Sequence, residues 1–440
     1  MKLPANPSET HQVEIGKPVY GGAFLARLEG KAVFVPLGLP GEQARIRIAQ
    51  SRPSYAAAEA EEIVTPSAER IRPACPHFGA CGGCHYQHTN HTTQLAFKQA
   101  ILRETLERGG VRDVGEIAVL SGAGEAQTWG YRNRIRLAFD AAGRPGYRGR
   151  RSHAVIPMEQ CPIAAPVLVE AARAAAEAAR QCASQGFTEV ELFTNADESA
   201  LLLSAFAAQG GKTRLDEFVQ RVKERVPALE GAALVVDGGE GRRGPVRPPR
   251  TVAQWGAKSL TYRAAGFDYR VDHGAFFQVN RWLVDALVEK VTAGQRGALA
   301  WDLFAGVGLF ARRLTASFDR VLAVEAAPAA TKALARNLKD TASTPIRATT
   351  FDFLRDWRAG SAVPDLIVAD PPRAGLGADT CGLLASVGAP AITYVSCDPA
   401  TLARDLRALL AEGYRIESVT LADLFPQTFH IECVAEIKRN

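Results

Sequence analysis

The sequence lacks the features of membrane and secreted proteins. Among its 440 residues no apolar run approaches the roughly 20 residues that a membrane-spanning helix needs. The first residues, 1–6, lack the apolar stretch of a signal peptide, and internal repeats and long low-complexity tracts are also missing. These absences predict a cytoplasmic protein with no membrane association. The length predicts two or three domains, each with its own core.

A large excess of one charge is missing too. The chain has 52 Lys and Arg against 47 Asp and Glu, a formal net charge of +5, which permits a nucleic-acid partner without requiring one. The arginines are unevenly spread, with crowded stretches at residues 132–151 and 242–250. Such stretches are most often solvated surface, but arginine among aromatic residues also suits RNA phosphates and stacked bases.

Eight cysteines in a chain with no secretory signal argue against a disulfide framework and for metal binding or catalysis. Cys75, Cys81 and Cys84 have the spacing C-x5-C-x2-C, and Gly82–Gly83 allow the backbone to turn tightly around a metal. Three thiolates need a fourth ligand, and Cys161 is the best candidate, although it is distant in the sequence. Four cysteines suit either zinc or an iron–sulfur cluster, and residue type alone does not choose between them.

The residue pattern divides the chain into three regions. Alternating apolar and polar positions between Gly and Pro turns predict a small β-barrel within residues 8–68. Residues 69–270 are predicted to form a central α+β domain that carries the cysteines, and its helix over residues 92–108 is expected to pack on the next domain. Residues 271–440 alternate strand, turn and helix, which predicts a doubly wound α/β domain. Further helices are predicted at 167–181 and 214–226, and a mobile loop at 238–250.

A glycine turn in the last region predicts a nucleotide-type cofactor site. The segment Asp302–Gly308 leads from a strand into a helix, and Gly306 and Gly308 allow a ligand to approach the backbone. Glu325 ends the next strand, where a carboxylate can accept the hydroxyls of a ribose. Asp352 follows a further short strand at 346–350 and is placed to meet an adenine edge. The third glycine of a dinucleotide fingerprint is missing, which favours S-adenosylmethionine over NAD.

A second motif, Asp370–Arg373, follows a buried strand. Amino-group methyltransferases carry a similar Asp-Pro-Pro motif with an aromatic residue in the fourth place, where Arg373 stands here. Amine methylation is therefore the weaker alternative. A merely structural use of Asp370, as a helix or turn cap, is a minor one.

Cys397 lies in a turn, Ser396–Pro399, that follows a predicted strand at 391–395. The carboxyl end of such a strand is where α/β sheets expose reactive groups. A thiol attacks only as the thiolate, so a reactive Cys397 is expected in a polar or electropositive turn. A free cysteine taken alone is more often a small buried apolar residue.

Two candidates for a base follow near the C-terminus, His430 and Glu432. Alternation along an extended segment puts both on one face and Cys433, a predicted core residue, on the other. The pattern therefore does not decide between His430 and Glu432.

Together these motifs resemble, over nearly the whole chain, the RNA (uracil-5-)-methyltransferases of the iron–sulfur type. The resemblance implies an N-terminal RNA-binding TRAM domain, a central domain with a 4Fe-4S cluster and a Rossmann-like domain that binds S-adenosylmethionine. It also rests on Gly130–Arg134 and on Phe276–Asn280, which is similar to the family's methionine-binding segment. Leu309 and Asp352 depart from it, because relatives carry asparagine there. The resemblance implies cluster ligands Cys75, Cys81, Cys84 and Cys161, cofactor contacts Gln278, Phe304, Glu325, Asp352 and Asp370, the nucleophile Cys397 and the base Glu432, and we add Arg132, Arg134 and Arg373 as predicted RNA contacts.

The implied activity is methyl transfer to carbon-5 of a uridine in RNA. Cys397 would add to carbon-6 and Glu432 would remove the carbon-5 proton, on a base flipped or looped out of its helix. Ribosomal 23S RNA is the expected substrate and transfer RNA the alternative. The cluster is expected to be structural or to position RNA, because methyl transfer moves no electrons. A non-catalytic iron–sulfur RNA-binding protein remains the alternative from another class, and no protein partner is implied.

Overall fold

A computed structural model describes residues 9–181, 186–207, 215–236, 250–357 and 362–440. The loop predicted at 238–250 lies outside these residues except for Arg250. The strands are β1 (Thr10–Val19), β2 (Ala23–Leu28), β3 (Lys31–Pro36), β4 (Gln43–Ser51), β5 (Tyr55–Thr65), β6 (Ile117–Leu120), β7 (Arg134–Phe139), β8 (Pro145–Arg148), β9 (Val155–Pro157), β10 (Phe187–Thr194), β11 (Leu201–Ala207), β12 (Leu229–Val236), β13 (Arg250–Gly256), β14 (Ser259–Ala264), β15 (Phe267–Asp272), β16 (Gly297–Leu303), β17 (Phe318–Glu325), β18 (Ser343–Arg347), β19 (Leu366–Ala369), β20 (Ala391–Ser396), β21 (Tyr414–Ala422) and β22 (Glu432–Arg439). The helices are α1 (His91–Arg108), α2 (Pro166–Gln181), α3 (Leu215–Arg225), α4 (Val284–Thr292), α5 (Leu309–Leu314), α6 (Pro328–Asn337), α7 (Thr350–Asp356), α8 (Ala378–Val387) and α9 (Pro399–Ala411).

The first five strands close into a barrel in the order β1-β2-β3-β5-β4. Successive side chains of a strand point to opposite faces, so the alternating apolar residues fill the barrel. Ile15, Phe24, Val33, Val35 and Ile46 are fully buried there. The predicted N-terminal β-barrel is confirmed.

The central region contains a seven-stranded sheet in the order β13-β12-β11-β10-β7-β8-β9. Helices α2 and α3 cover one face of it, and Leu168, Phe218 and Val222 pack with Leu203 in one buried cluster. The sheet ends in the β8–β9 hairpin, which lies beside the cysteine-rich loop because Gly82 N donates to the carbonyl of Arg148 at 3.1 Å.

The C-terminal region is a doubly wound sheet of eight strands in the order β18-β17-β16-β19-β20-β22-β21-β6. Strands β16 to β20 run parallel, and β22 lies antiparallel between β20 and β21. Helices α4, α5 and α6 bury their apolar side chains on one face, and α7, α8 and α9 on the other. The predicted α/β domain is confirmed. No helix of the described ranges is long and apolar enough to cross a membrane.

Parts of the chain before residue 271 also belong to this domain. Ile101, Leu102 and Leu106 of α1 share a core with Leu402 and Leu406 of α9. Strand β6 pairs with β21 at the sheet edge, and the β14–β15 hairpin packs in the core on the opposite face. The sequence pattern had already set the helix over residues 92–108 against this domain, but it left β6 and the β14–β15 hairpin in the central domain. An edge strand or a hairpin is placed by the surface that covers it, which sequence order does not show.

Candidate active site and cysteine cavity

The carboxyl ends of the parallel strands β16, β17, β19 and β20 meet at one edge of the sheet, where α/β folds bind ligands. A cavity of about 770 Å³ opens at this edge. The predicted site residues that line it are Arg132, Gln278, Phe304, Gly306, Glu325, Asp370, Arg373, Cys397, His430 and Glu432. Residues from distant parts of the sequence therefore converge on one cavity.

Strand pairing brings the predicted nucleophile and base together. Strand β22 pairs antiparallel with β20, with Ser396 opposite Cys433. Cys397 and Glu432 are the next residues beyond this pair, both line the cavity, and the charge of Glu432 acts on the Cys397 thiol. Cys433 is fully buried and donates from Sγ to the carbonyl of Ser396 at 3.5 Å, so its predicted core role is confirmed.

The turn that carries Cys397 is fixed by a helix cap. Asp398 is the N-cap of α9, and its carboxylate accepts hydrogen bonds from Ala400 N at 2.9 Å and Thr401 N at 3.0 Å. Pro399 occupies the first turn of the helix, where the missing N–H costs nothing. Tyr20 of the barrel also reaches this turn, and its hydroxyl donates to the carbonyl of Cys397 at 3.5 Å. No signal in the sequence indicated that the barrel reaches this turn.

The charged groups around Cys397 are mostly carboxylates, so its turn is polar but not electropositive. Burial raises the pKa of the Cys397 thiol to about 11, the negative charges of Glu432 and Asp370 add to this, and the guanidinium of Arg373 opposes it. Cys397 is therefore a neutral thiol in the ligand-free protein near neutral pH.

Two of the carboxyl groups that line the cavity, those of Asp370 and Glu432, bind a proton more readily than usual. Burial raises the pKa of Asp370 to about 7. Burial and the charge of Asp370 hold the pKa of Glu432 well above its usual value, because two carboxylates at low dielectric resist ionising together. Glu432 is 5% exposed, so water does little to relieve this.

His430 has the opposite character. Burial, together with the positive charges of Arg373 and Arg132, lowers the pKa of His430 to about 3. Its ring lies between those of Phe425 and Phe429, with centroids at 5.5 Å and 4.4 Å. His430 is thus a neutral imidazole held among aromatic rings, and it binds a proton weakly.

The glycine turn after β16 is shaped for a ligand. Gly306 has φ +55° and Phe304 has φ +64°, a left-handed conformation that a side chain adopts only when its surroundings impose it. The carboxylate of Glu325 accepts hydrogen bonds from Gly306 N at 2.9 Å and Ala327 N at 2.7 Å. A Cβ atom at Gly306 would meet no atom within 4 Å, so open space remains beside the backbone where a cofactor would lie.

Gly308 and Asp352 do not line this cavity. Gly308 caps α5 with φ +93°, and a Cβ there would lie 2.8 Å from Leu334 Cδ1, so this glycine permits close packing of α6. Asp352 lies in the first turn of α7, where it accepts from the hydroxyl of Thr349 at 2.6 Å and pairs with Arg355 at 2.9 Å. The strand predicted at 346–350 ends earlier, at Arg347, and Asp352 lines a separate hollow.

The three arginines predicted to contact RNA have different settings. Arg132 and Arg373 line the cavity, and Arg373 is exposed. Arg134 lies elsewhere: its guanidinium is 4.2 Å from the ring centroid of Phe193 and 3.4 Å from the carboxylate of Glu191. Arg134 is therefore engaged within the central sheet.

A second cavity, of about 180 Å³, is lined by Cys75, Cys81, Cys84 and Cys161. Cys161 reaches it because the cysteine loop pairs with the β8–β9 hairpin, and Arg150 N donates to the carbonyl of Ala80 at 2.9 Å. Burial raises the pKa of Cys81 to about 11 and that of Cys84 to about 12. Among the described residues, no group of three or more His, Cys, Asp or Glu side chains is arranged to hold a metal ion.

The two cavities share a wall, because Arg132 and His430 line both of them.

A doubly wound sheet with a glycine turn and converging polar residues at its carboxyl edge defines a Rossmann-like methyltransferase domain. The sequence profile of the tRNA (Uracil-5-)-methyltransferase family matches residues 254–440, and that of the TRAM domain matches residues 4–60. The chain belongs to the family of S-adenosylmethionine-dependent RNA (uracil-5-)-methyltransferases and carries an N-terminal TRAM domain.

Individual relatives match nearly the whole chain. An uncharacterized RNA methyltransferase of Streptomyces avermitilis is 35% identical over 97% of this chain and 98% of its own length. The 23S rRNA (uracil(1939)-C(5))-methyltransferase RlmD of Azoarcus sp. is 32% identical over 95% of this chain and 97% of its own. The crystal structure of Pyrococcus abyssi tRNA (uracil-54, C5)-methyltransferase in complex with S-adenosyl-L-homocysteine has the same fold, with a TM-score of 0.75 at 23% identity and coverage of 97% and 99%.

Proposed function

We propose that this protein methylates carbon-5 of a uridine in 23S ribosomal RNA through a covalent adduct with Cys397. The observation that carries the proposal is the placement of Cys397 beside Glu432 in the cofactor cavity. Relatives at 31–33% identity that are named for 23S rRNA support the ribosomal substrate. Transfer RNA is the second candidate, because the family profile that matches residues 254–440 is named for tRNA (Uracil-5-)-methyltransferase.

S-adenosylmethionine, when bound, supplies the methyl group from its sulfonium. The residues that would hold it line the cavity. Gly306 has open space beside it, and Glu325 would accept hydrogen bonds from the ribose hydroxyls. The remaining contacts would come from Gln278, Phe304 and Asp370. Gly308 and Asp352 are left out of this set because they face other surroundings.

The reacting steps of this chain begin with Cys397. Its thiol gives up its proton to solvent, and Sγ forms a bond to carbon-6 of the uracil. Carbon-5 then becomes a nucleophile that takes the methyl group, and S-adenosyl-homocysteine is the leaving group. A base then removes the carbon-5 proton, the double bond between carbon-5 and carbon-6 re-forms, and the carbon-6–sulfur bond breaks to release Cys397 as the thiolate. We assign the base to Glu432, because its raised pKa makes its carboxylate a strong acceptor, whereas the depressed pKa of His430 makes a poor one.

The substrate needs an open, basic path to the cavity. Phe276 at its edge is 63% exposed and offers a stacking face for an extruded base. A groove of about 440 Å³ between the barrel and the β8–β9 hairpin is lined by Arg148, Arg150 and Arg151 and by no carboxylate of the described residues. We assign this groove to phosphates of the RNA backbone.

For the second cavity we propose a 4Fe-4S cluster held by the four cysteines. A cluster binds each cysteine through a different iron and so accepts ligands spread around a larger space than a single metal ion does. Gly83 N donates to Cys81 Sγ at 3.4 Å, a hydrogen bond of the kind that supports cluster thiolates. The role of the cluster would be structural, since the transfer of a methyl group moves no electron.

The covalent mechanism is tested with RNA that contains 5-fluorouridine, in which fluorine replaces the proton that the base removes. The wild-type protein with cofactor is expected to form an adduct stable on a denaturing gel. Cys397→Ala should lose the adduct and reduce methylation by at least about 10⁴-fold, while S-adenosyl-homocysteine binding is retained. An adduct level unchanged in Cys397→Ala would falsify the nucleophile. Comparing 23S and transfer RNA as substrates decides between the two RNA classes.

A further inference from the structure

The residues between β21 and β22, 423–431, form a loop that leads directly into Glu432; we call it the base loop. At its tip Gln427 is 3% exposed and has φ +68°. A left-handed glutamine is unfavourable and persists only where neighbouring groups fix it. The contacts of Gln427 therefore show what holds the tip of the base loop in place. Elsewhere in the loop, Tyr131 donates to the carbonyl of Pro426 at 3.0 Å and Asn280 to that of Leu424 at 3.1 Å.

Those contacts come from the cysteine-rich segment and from α1. The carbonyl of Gln427 accepts from His85 N at 2.8 Å and from Tyr86 N at 3.0 Å, and these are the two residues that follow Cys84. Gln427 N donates to Gln94 Oε1 at 2.9 Å, and Gln94 Nε2 donates to Gln427 Oε1 at 2.9 Å.

Gln94, a residue of α1, also contacts the segment that follows the cysteines. Its Nε2 donates to the carbonyls of Tyr86 at 3.1 Å and Thr89 at 3.0 Å. Gln94 is 1% exposed, so each polar atom deprived of its partner here would remain buried and unsatisfied.

The beginning of the base loop is fixed from the same helix. Lys98 Nζ lies 2.6 Å from Asp423 Oδ1 and donates to the carbonyl of Phe425 at 2.9 Å. Lys98 and Asp423 are both almost fully buried, and His91 Nε2 contacts the second oxygen of Asp423 at 2.7 Å. Helix α1 thus holds the loop at its start and at its tip.

We infer that Gln94 is a positioning residue for Glu432, and that through Gln94 and Gln427 the cysteine-rich segment fixes the geometry of proton removal. This inference rests on the proposed role of Glu432 as the base. It gives the cysteine centre a function in catalysis without electron transfer, because a change at residues 75–86 is transmitted through backbone hydrogen bonds to the base loop.

Gln94→Met in the intact holoprotein tests the inference, because methionine keeps the length of the side chain and removes its hydrogen bonds. Displacing Glu432 by about 1 Å should slow proton removal by up to about 100-fold. Methyl transfer comes earlier and should change little. On ordinary uridine RNA the methylated covalent adduct should therefore accumulate, with the KM for RNA and the affinity for S-adenosyl-homocysteine within about twofold of the wild type.

Two further variants separate positioning from general damage. Gln99→Met is the matched control, since Gln99 lies on the same helix and its Nε2 donates to the carbonyl of Ile117 at 2.8 Å, away from the base loop; it should not accumulate adduct. Gln427→Gly keeps the left-handed backbone and its hydrogen bonds, removes the side-chain acceptor of Gln94 Nε2, and should give a smaller accumulation than Gln94→Met.

The inference is overturned if Gln94→Met slows methyl transfer and adduct release equally, or if Gln99→Met accumulates adduct to the same level. If instead the wild type forms no adduct with any RNA, the proposed function fails. In that case, hydrogen exchange of residues 423–431 still tests whether Gln94 holds the base loop. Their amide protons should exchange faster in Gln94→Met than in the wild type, and no faster in Gln99→Met.

Discussion

At the scale of single residues, burial raises the pKa of three groups that line the cavity, the thiol of Cys397 and the carboxyl groups of Asp370 and Glu432. Glu432 and Asp370 raise the pKa of Cys397, and Arg373 opposes them. The Cys397 thiol is therefore protonated near neutral pH in the free protein. Burial is the largest cause, and burial cannot be read from the charges along the sequence.

Alkylation of Cys397 by iodoacetamide in the free protein should report this state. With a pKa of about 11, the thiolate fraction and the rate should rise about tenfold per pH unit between about pH 7 and pH 9, without a plateau. Arg373→Met removes the charge that lowers this pKa and should slow the reaction at every pH in that range. Peptide mapping by mass spectrometry measures the rate at Cys397 alone, and a plateau below about pH 8 would contradict the assignment.

At the scale of elements, the turn between β16 and α5 uses its glycines for different purposes. Gly306 leaves room beside the cavity, whereas Gly308 lets Leu334 of α6 approach. The strand–turn–helix pattern predicted the turn and a role in ligand binding for both glycines. It did not separate their uses, because these depend on α6, which follows about 20 residues later in the chain.

Replacing each glycine by alanine should separate these uses. Gly306→Ala adds a methyl group in open space at φ +55°, so it should cost about 1 kcal/mol of stability and weaken S-adenosyl-homocysteine binding. Gly308→Ala suffers both the strain at φ +93° and the 2.8 Å contact with Leu334, so the protein should be destabilised more strongly. Thermal unfolding and calorimetric titration measure the two effects. Equal loss of stability in both variants would show that the cavity side of Gly306 is not open.

Asp352 shows the limit of predicting elements from the sequence. The strand was predicted to end at residue 350, whereas β18 ends at Arg347 and α7 begins at Thr350. Asp352 was therefore expected just after a strand, at the cavity edge. In the structure it supports the first turn of α7 through Thr349 and Arg355. Element ends depend on local capping, which apolar periodicity does not record.

At the scale of the whole molecule, three regions meet around the two cavities. The barrel contributes Tyr20 to the Cys397 turn, the central region contributes Arg132 to the wall between the cavities, and α1 holds the base loop. The basic groove lies where the barrel and the β8–β9 hairpin face each other. RNA bound there would touch more than one region at once.

Charge reversal in the groove tests this path. The double variant Arg150→Glu, Arg151→Glu should weaken RNA binding at low salt and reduce the slope of log affinity against log salt by about 1 for each phosphate that the protein no longer neutralises. S-adenosyl-homocysteine binding should not change. Arg415→Glu is the control. Arg415 is exposed and lies at the start of β21, the end of this strand that is far from the cavity. Filter binding measures affinity, and an unchanged salt slope in the double variant would exclude the groove.

The sequence alone predicted the barrel and the doubly wound domain, carried the motifs that resemble the family, and offered Cys397, Glu432 and Asp370 as candidates for the chemistry. It could do so because strand and helix periodicity, glycine turns and cysteine spacing are local properties. Tertiary structure decided which of these residues meet. The register of β22 against β20 placed Glu432 beside Cys397, and the β8–β9 hairpin brought Cys161 to the other three cysteines. Burial set the proton affinities of Cys397, Glu432 and His430, and only the packed fold fixes burial.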